Sequence, residues 1–178
     1  MAVQILKVTC AAGLLAMAMS NSVPVSWAAD HVDDAALTHA VEDALVAHPV
    51  AASHEIKVEV YNGIVQLSGF VDSDNVRESA VKAARDVPGV ASVHDSLKIR
   101  PDNQTPADVQ RDSELTKKVE NALITNPSTK SHEINVATAD SVVQLSGFVD
   151  SADIRSTAAE VANAVPGVRR VQNELEMK

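Results

Sequence analysis

The sequence predicts an α+β fold of two tandem units, each running α-β-β-α-β with two helices packed on one face of a three-stranded mixed sheet. Three observations predict it: an internal repeat at a constant offset, a switch from helical to alternating apolar spacing within each copy, and a two-residue turn that sets a checkable strand register. The repeat is plain. Val65-Gln-Leu-Ser-Gly-Phe-Val-Asp-Ser73 recurs unchanged as Val143 to Ser151, Ser53-His-Glu-Ile56 as Ser131 to Ile134, and Val87-Pro-Gly-Val90 as Val165 to Val168, always 78 residues on. Leu37–Arg100 aligns with Leu115–Lys178 without a gap and with 30 identities in 64 positions, too many for chance. The units are expected at 31–100 and 111–178, joined by a polar, proline-bounded linker at 101–110.

Each element follows from its pattern. Leu37, Val41, Ala44 and Leu45 fall at helical spacing, as do Leu115, Val119, Ala122 and Leu123. Asp33/Asp34 and Asp112/Ser113 are the expected N-caps, where a carboxylate favours the positive end of the helix, and Pro49 and Pro127 close it. Ile56, Val58 and Val60 then alternate, Asn62–Gly63 is a strong hairpin turn, and Ile64–Val71 returns as a second strand. A turn at 62–63 pairs Val60 with Val65, Val58 with Leu67 and Ile56 with Gly69, which puts every apolar side chain on one face. The second copy pairs Thr138 with Val143, Val136 with Leu145 and Ile134 with Gly147. Its turn, Asp140–Ser141, is a weaker signal, although Asp tolerates the left-handed region.

A second helix follows Ser73 or Ser151, with the carboxylates of Asp72 and Asp150 expected to cap it. Its inward face is rich in alanine (Ala80, Ala84; Ala158, Ala162). A smooth helix opposite Gly69 or Gly147 implies close helix–sheet approach, so these glycines are expected to be structural. Gly89 and Gly167, in the Pro-Gly pairs, are expected to end the helix before a third strand at Val90–Ile99 or Val168–Met177.

The first residues have a separate character. Lys7, an apolar run from Val8 to Met19, and Ser26–Trp27–Ala28 with small residues at −3 and −1 form the layout of a secretory signal peptide cut after Ala28. The apolar run is too short to span a bilayer, which needs roughly 20 residues. Cys10 is the only cysteine, and no apolar segment precedes it as a lipidation site requires. The expected mature chain therefore has no thiol, which removes disulfides, thiolate metal sites and cysteine nucleophiles.

Composition narrows function. From Asp30 onward there are 14 basic and 24 acidic residues, a net of −10, and only three aromatics: Tyr61, Phe70 and Phe148. Nucleic-acid binders concentrate cations and often add stacking rings, so nucleic acid is not an expected partner. Ser68 and Ser146 are the serines inside the long repeated run; the register places them on the outer sheet face beside Gln66 and Gln144, where a solvated role is expected. His54–Glu55 and His132–Glu133 recur, but neighbours on a strand point to opposite faces and cannot share one ion. No catalytic set, metal or cofactor is expected.

What remains is surface. Tyr61, Ile64 and Phe70, with Val142 and Phe148, lie on the sheet faces away from the helices, where they pack the two domains together or receive lipid or protein. The first unit carries −5 and the second −2, and only the second has the doublets Lys117–Lys118 and Arg169–Arg170. Anionic lipid attracts such groups by about 1 kcal/mol each near a membrane, so these four cations with Phe70 and Phe148 are the candidate binding residues.

The Val-x-Leu-x-Gly strand, the helix after it and the Pro-Gly-Val-x-x-Val-x-x-x-Leu close resemble the BON domain family of bacterial envelope proteins. Two such domains behind a leader are similar to that family's osmotic-stress branch. The resemblance covers nearly all of the chain after the leader. It implies a non-enzymatic periplasmic protein that associates with phospholipid surfaces or other envelope proteins. The second expectation is a chaperone for unfolded outer-membrane or secreted chains, which needs the apolar sheet faces open. The sequence leaves the oligomeric state open.

Overall fold

The alternating and helical periods resolve into ten elements in the computed structural model, which describes residues 33–48, 56–129 and 134–178. The expected signal peptide (1–28), Cys10, Pro49, and the His54–Glu55 and His132–Glu133 pairs lie outside these residues. The first unit comprises α1 (Asp34–Ala47), β1 (Ile56–Tyr61), β2 (Ile64–Val71), α2 (Asp74–Arg85) and β3 (Ser92–Ile99). The second comprises α3 (Pro106–Thr125), β4 (Asn135–Ala139), β5 (Val142–Val149), α4 (Ala152–Asn163) and β6 (Arg170–Met177). In each sheet the middle strand is antiparallel to the hairpin strand and parallel to the last one, the mixed sheet expected.

The register follows the turn. Val60 faces Val65, Val58 faces Leu67 and Ile56 faces Gly69. In the second copy Thr138 faces Val143 and Val136 faces Leu145, but the ladder stops at Asn135–Ser146, one residue short of the expected Ile134–Gly147 pair. Because the side-chain period is two, this register sends Val58, Val65, Leu67, Val71 and Leu97 to one face. There they meet Leu37, Val41 and Leu45 of α1 and Val76, Ala80 and Ala84 of α2. The second copy repeats this core with Leu115, Val119, Leu123, Ala158, Ala162 and Leu175. Leu67, Leu145 and the four inward alanines are fully enclosed.

Three local expectations are corrected. The second helices are capped by Ser73 and Ser151, whose hydroxyls accept from the amides of Val76 (3.4 Å) and Ile154 (3.3 Å); Asp72 and Asp150 stand one residue outside. The expected linker is half helix, because α3 starts at Pro106 and not near Leu115. Thr105 and Asp108 form a reciprocal capping box there, with Pro106 in the first turn, where its missing N–H costs nothing. The Thr105 hydroxyl, and then its amide, hold the Asp108 carboxyl below its ordinary pKa.

Asp34 and Asp112 also depart from their expected role as caps. Asp33 does cap α1, but Asp34 reaches across to the hairpin turn, accepting from the amides of Asn62 (2.7 Å) and Gly63 (3.0 Å). Asp112 is not a cap: it is buried in mid-helix and accepts from Asp140 (2.7 Å), Ser141 (2.9 Å) and Gln104 Nε2 (2.8 Å). Each aspartate thus pins a helix to its hairpin. The clamp matters more in the second copy, where Asp140 (φ 51°) and Ser141 (φ 60°) both hold the left-handed conformation without a glycine. That conformation costs an L-residue about 1–2 kcal/mol.

Replacing Asp112 by Ala should therefore cost about 3 kcal/mol in urea unfolding, since the charge-assisted hydrogen bonds of a buried carboxylate to both turn amides are lost. Asp34→Ala should cost less, because Asn-Gly favours its turn unaided. Ser141→Gly should stabilise by up to about 1 kcal/mol. Equal losses in the two aspartate variants would contradict this account of the clamps.

Candidate functional site

The alternation that fills each core leaves Gln66, Ser68 and Phe70 on the opposite face of β2, and Gln144, Ser146 and Phe148 on that of β5. These faces are closed. The two sheets pack on each other, and all six side chains are buried, the glutamines to 1 % and the serines to 2 % exposure. The expectation of solvated serines is overturned: Ser68 Oγ and Ser146 Oγ lie 2.6 Å apart in one hydrogen bond. A polar alternate row on a strand suits water or an equally polar partner, and here the partner is the other copy.

The arrangement around that bond is two-fold in pattern. Gln66 Oε1 accepts from the amide of Gly147 (2.7 Å) while its Nε2 donates to the Glu174 carbonyl (2.6 Å). Gln144 Oε1 accepts from the amide of Gly69 (2.9 Å) while its Nε2 donates to the Ser96 carbonyl. Every partner is offset from its counterpart by 78 residues, so the same contact is written twice. Gly69 (φ 117°) and Gly147 (φ 125°) make it possible. Their positive φ turns the peptide so that the N–H leaves the sheet and meets a side chain of the other one, a conformation that residues with a Cβ rarely hold. Their role therefore includes the seam and goes beyond the expected approach of a helix. Gly89 (φ 99°) and Gly167 (φ 105°) sit in the turns that close α2 and α4.

The rim of the seam breaks the symmetry. Tyr61 packs on Phe148 with ring centres 5.5 Å apart, and Lys178 Nζ lies 5.9 Å from the Tyr61 ring; the position equivalent to Tyr61 is Ala139, so Phe70 has no such cover. Lys98 Nζ pairs with Glu174 Oε1 at 3.0 Å, His94 Nδ1 meets Glu176, and Asn135 donates to Glu59. Lys98 and His94 of β3 thus face carboxylates of β6.

The remaining candidate residues scatter. Lys117 and Lys118 are exposed on α3, Arg170 is exposed on β6, and Arg169 donates to Asp140 at 2.8 Å. The two doublets belong to different elements; Lys117 and Phe70 line one groove between α3 and β4, while Lys118, Arg169, Arg170 and Phe148 do not line it. Among the described residues no helix is long and apolar enough to cross a membrane, and no cluster of His, Cys, Asp and Glu could hold a metal ion.

Two copies of one α-β-β-α-β module, each with this strand and this Pro-Gly close, are matched by the BON domain family at residues 33–101 and 111–178. The chain belongs to the BON domain family. It is 39 % identical over 148 residues to the osmotically-inducible protein Y of Escherichia coli K12, covering 83 % of this chain and 74 % of that protein. It is 29 % identical over 141 residues to the outer membrane lipoprotein DolP of Haemophilus influenzae, covering 79 % of this chain and 72 % of that one. Among solved structures, CdsD, a structural protein of the type III secretion system of Chlamydia trachomatis, aligns over 80 % of this chain and 92 % of that chain at 16 % identity and a TM-score of 0.34. That score is too low to carry over either arrangement or function.

The seam between the BON domains makes two predictions. Gln66→Leu strands the Gly147 amide and the Glu174 carbonyl, and should cost about 2–4 kcal/mol in urea unfolding. Ser68→Cys with Ser146→Cys, in a chain starting at Asp30, should form one intramolecular disulfide under mild oxidation. It would be seen as a faster monomer band on a non-reducing gel, and linked dimers in its place would refute the closed seam.

Proposed function

We propose that this BON protein is exported to the periplasm, has no catalytic role, and associates with anionic phospholipid surfaces through its second domain. The observation that carries the reading is the exposed Lys117–Lys118 pair on α3, on the domain whose charge is nearer neutral. Closure of the seam removes Phe70 and Phe148 from the candidate lipid contacts, since both are buried. It leaves the cations as the accessible chemistry. Arg169 is committed to Asp140, so the α3 pair and Arg170 are the groups free to meet phosphate.

The relatives support an envelope role: one is named for osmotic induction and another as an outer membrane lipoprotein. The chaperone reading is less favoured, because the sheet faces that an unfolded client would need cover each other. A signal peptide at 1–28, cleaved on export, and domains at 31–100 and 111–178 belong to the same proposal, with the helical start of α3 counted to the second domain.

Co-flotation with vesicles tests it. The chain should float with phosphatidylglycerol vesicles and not with phosphatidylcholine vesicles, and Lys117→Glu with Lys118→Glu should weaken the binding at least about thirtyfold while leaving the unfolding midpoint unchanged. Replacing two cations by two anions near such a surface shifts binding by roughly 1 kcal/mol per charge or more. Equal flotation on both vesicle types, or suppression of a client's aggregation without flotation, would reject the lipid reading.

A further inference from the structure

Each domain carries a groove between its first helix and the free edge of its hairpin strand, and the two grooves are equivalent. One runs along Ser113, Thr116, Lys117 and Glu120 of α3 and Val136–Thr138 of β4; the other runs along Ala35, Thr38, His39 and Glu42 of α1 and Ile56–Val60 of β1. Their volumes are about 340 and 600 Å³. Consecutive strand residues line both. Alternate side chains point to opposite faces, so a wall of consecutive residues means that each groove looks edge-on at backbone.

The edge on β4 is unpaired. Ala139 and Val142 flank a two-residue turn and form the hydrogen-bonded closing pair, so Ala137 and Asn135 also bond inward to β5. The N–H and C=O of Val136 and Thr138 therefore point outward, and among the described residues no strand lies beyond them, because β4 is the edge of its sheet. Such a row of donors and acceptors takes up an added strand.

The grooves differ in what lines them. Along β1 one cation, Lys57, meets the carboxylates of Asp34, Glu42 and Glu59. Along β4, Lys57, Arg100 and Lys117 converge against Asp112 and Glu120, and Asp112 already accepts three hydrogen bonds from the turn amides and Gln104. Phe70 also lines this groove, whereas its counterpart Phe148 is covered by Tyr61. Arg100 Nε is buried without a hydrogen-bond acceptor, the nearest carboxylate oxygen, Asp72 Oδ1, lying 3.9 Å away. A basic rim, the exposed apolar side chain of Val109 and a free strand edge coincide here.

The geometry points to the α3–β4 groove as a docking site for an extended, acidic polypeptide segment, which adds to β4 as a strand and sets its carboxylates against Lys57, Arg100 and Lys117. The site shares Lys117 with the cation pair offered to lipid, whereas Lys118 does not line it, so Lys118 distinguishes the two surfaces.

The test is titration of the ¹⁵N-labelled full chain with an eight-residue peptide alternating Val/Thr with Glu, at physiological ionic strength. Three control arms are the same peptide with Lys for Glu, the acidic peptide N-methylated at alternate amides, and phosphatidylglycerol micelles. The acidic peptide should perturb and protect the amides of Val136 and Thr138, and both altered peptides should bind at least tenfold more weakly. Ala137→Glu should weaken binding tenfold or more with the fold intact: position 137 is the equivalent of Glu59, and the added carboxylate would meet Lys57 as Glu59 meets Asn135. Lys118→Glu, which impairs only the lipid surface, should leave the peptide affinity unchanged. Equal binding of the basic or N-methylated peptide would overturn the proposal, as would shifts confined to residues outside the groove. Micelles that perturb Val136 and Thr138 while the acidic peptide does not would reassign the groove to lipid and overturn it equally.

Discussion

Two glutamine side chains buried between two sheets impose the constraint on which the domain pairing depends. An amide side chain out of water must find both a donor and an acceptor, and each group left unpaired costs about 1–3 kcal/mol. Gln66 and Gln144 satisfy this by reaching into the other domain for one peptide N–H and one peptide C=O each. The N–H is available because Gly69 and Gly147 hold positive φ and turn it out of the ladder. The Ser68–Ser146 bond, the burial of both phenylalanines and the placement of the rim charges all presuppose that fit. Slide one sheet by a residue and every one of these groups faces the wrong partner. The polar seam therefore fixes one arrangement where an apolar one would tolerate several.

The rim decides which faces may meet. The central contact is identical in both copies, so nothing in it distinguishes a first domain from a second. Around it, Lys98 faces Glu174 and His94 faces Glu176. Were two second domains to pair in the same way, the position of Lys98 would hold Glu176 and would oppose Glu174, one carboxylate against another. Were two first domains to pair, His94 would face Lys98. Two opposed carboxylates disfavour a pair of second domains, and a pair of first domains sets Ser96 against Lys98 and so loses the Lys98–Glu174 attraction. The core of the seam supplies attachment and the rim supplies choice.

Much of the fold was legible in the sequence. Alternation, the Asn-Gly turn and the 78-residue offset predict the strands, their register and the two cores, because local period and turn chemistry determine them. The destination of the outer face was not legible in the same way, since Gln and Ser on alternate positions look alike whether water or another polar face covers them. A signal was present: Gln66, Ser68 and Phe70 are identical in the second copy, whereas the neighbouring outward positions Tyr61, His94 and Lys98 are not. Asp34 and Asp112 have the look of caps in the sequence because they stand before a helical period. Their real partners are 28 residues further on, a distance that only the fold closes. The α3–β4 groove was invisible for a similar reason, because Lys57, Arg100 and Lys117 come from three elements and converge only once the sheets have packed.

The short connection from the end of β3 to Thr105 gives the closed seam a further property. In a symmetric dimer the same contact would obey mass action, forming when the protein is abundant and dissolving when it is dilute. Joined by a few residues, the two faces see each other at an effective concentration that is typically millimolar for a short tether, whatever the amount of protein around them. Swelling or shrinkage of the surrounding compartment, which changes every bimolecular equilibrium within it, leaves this one untouched.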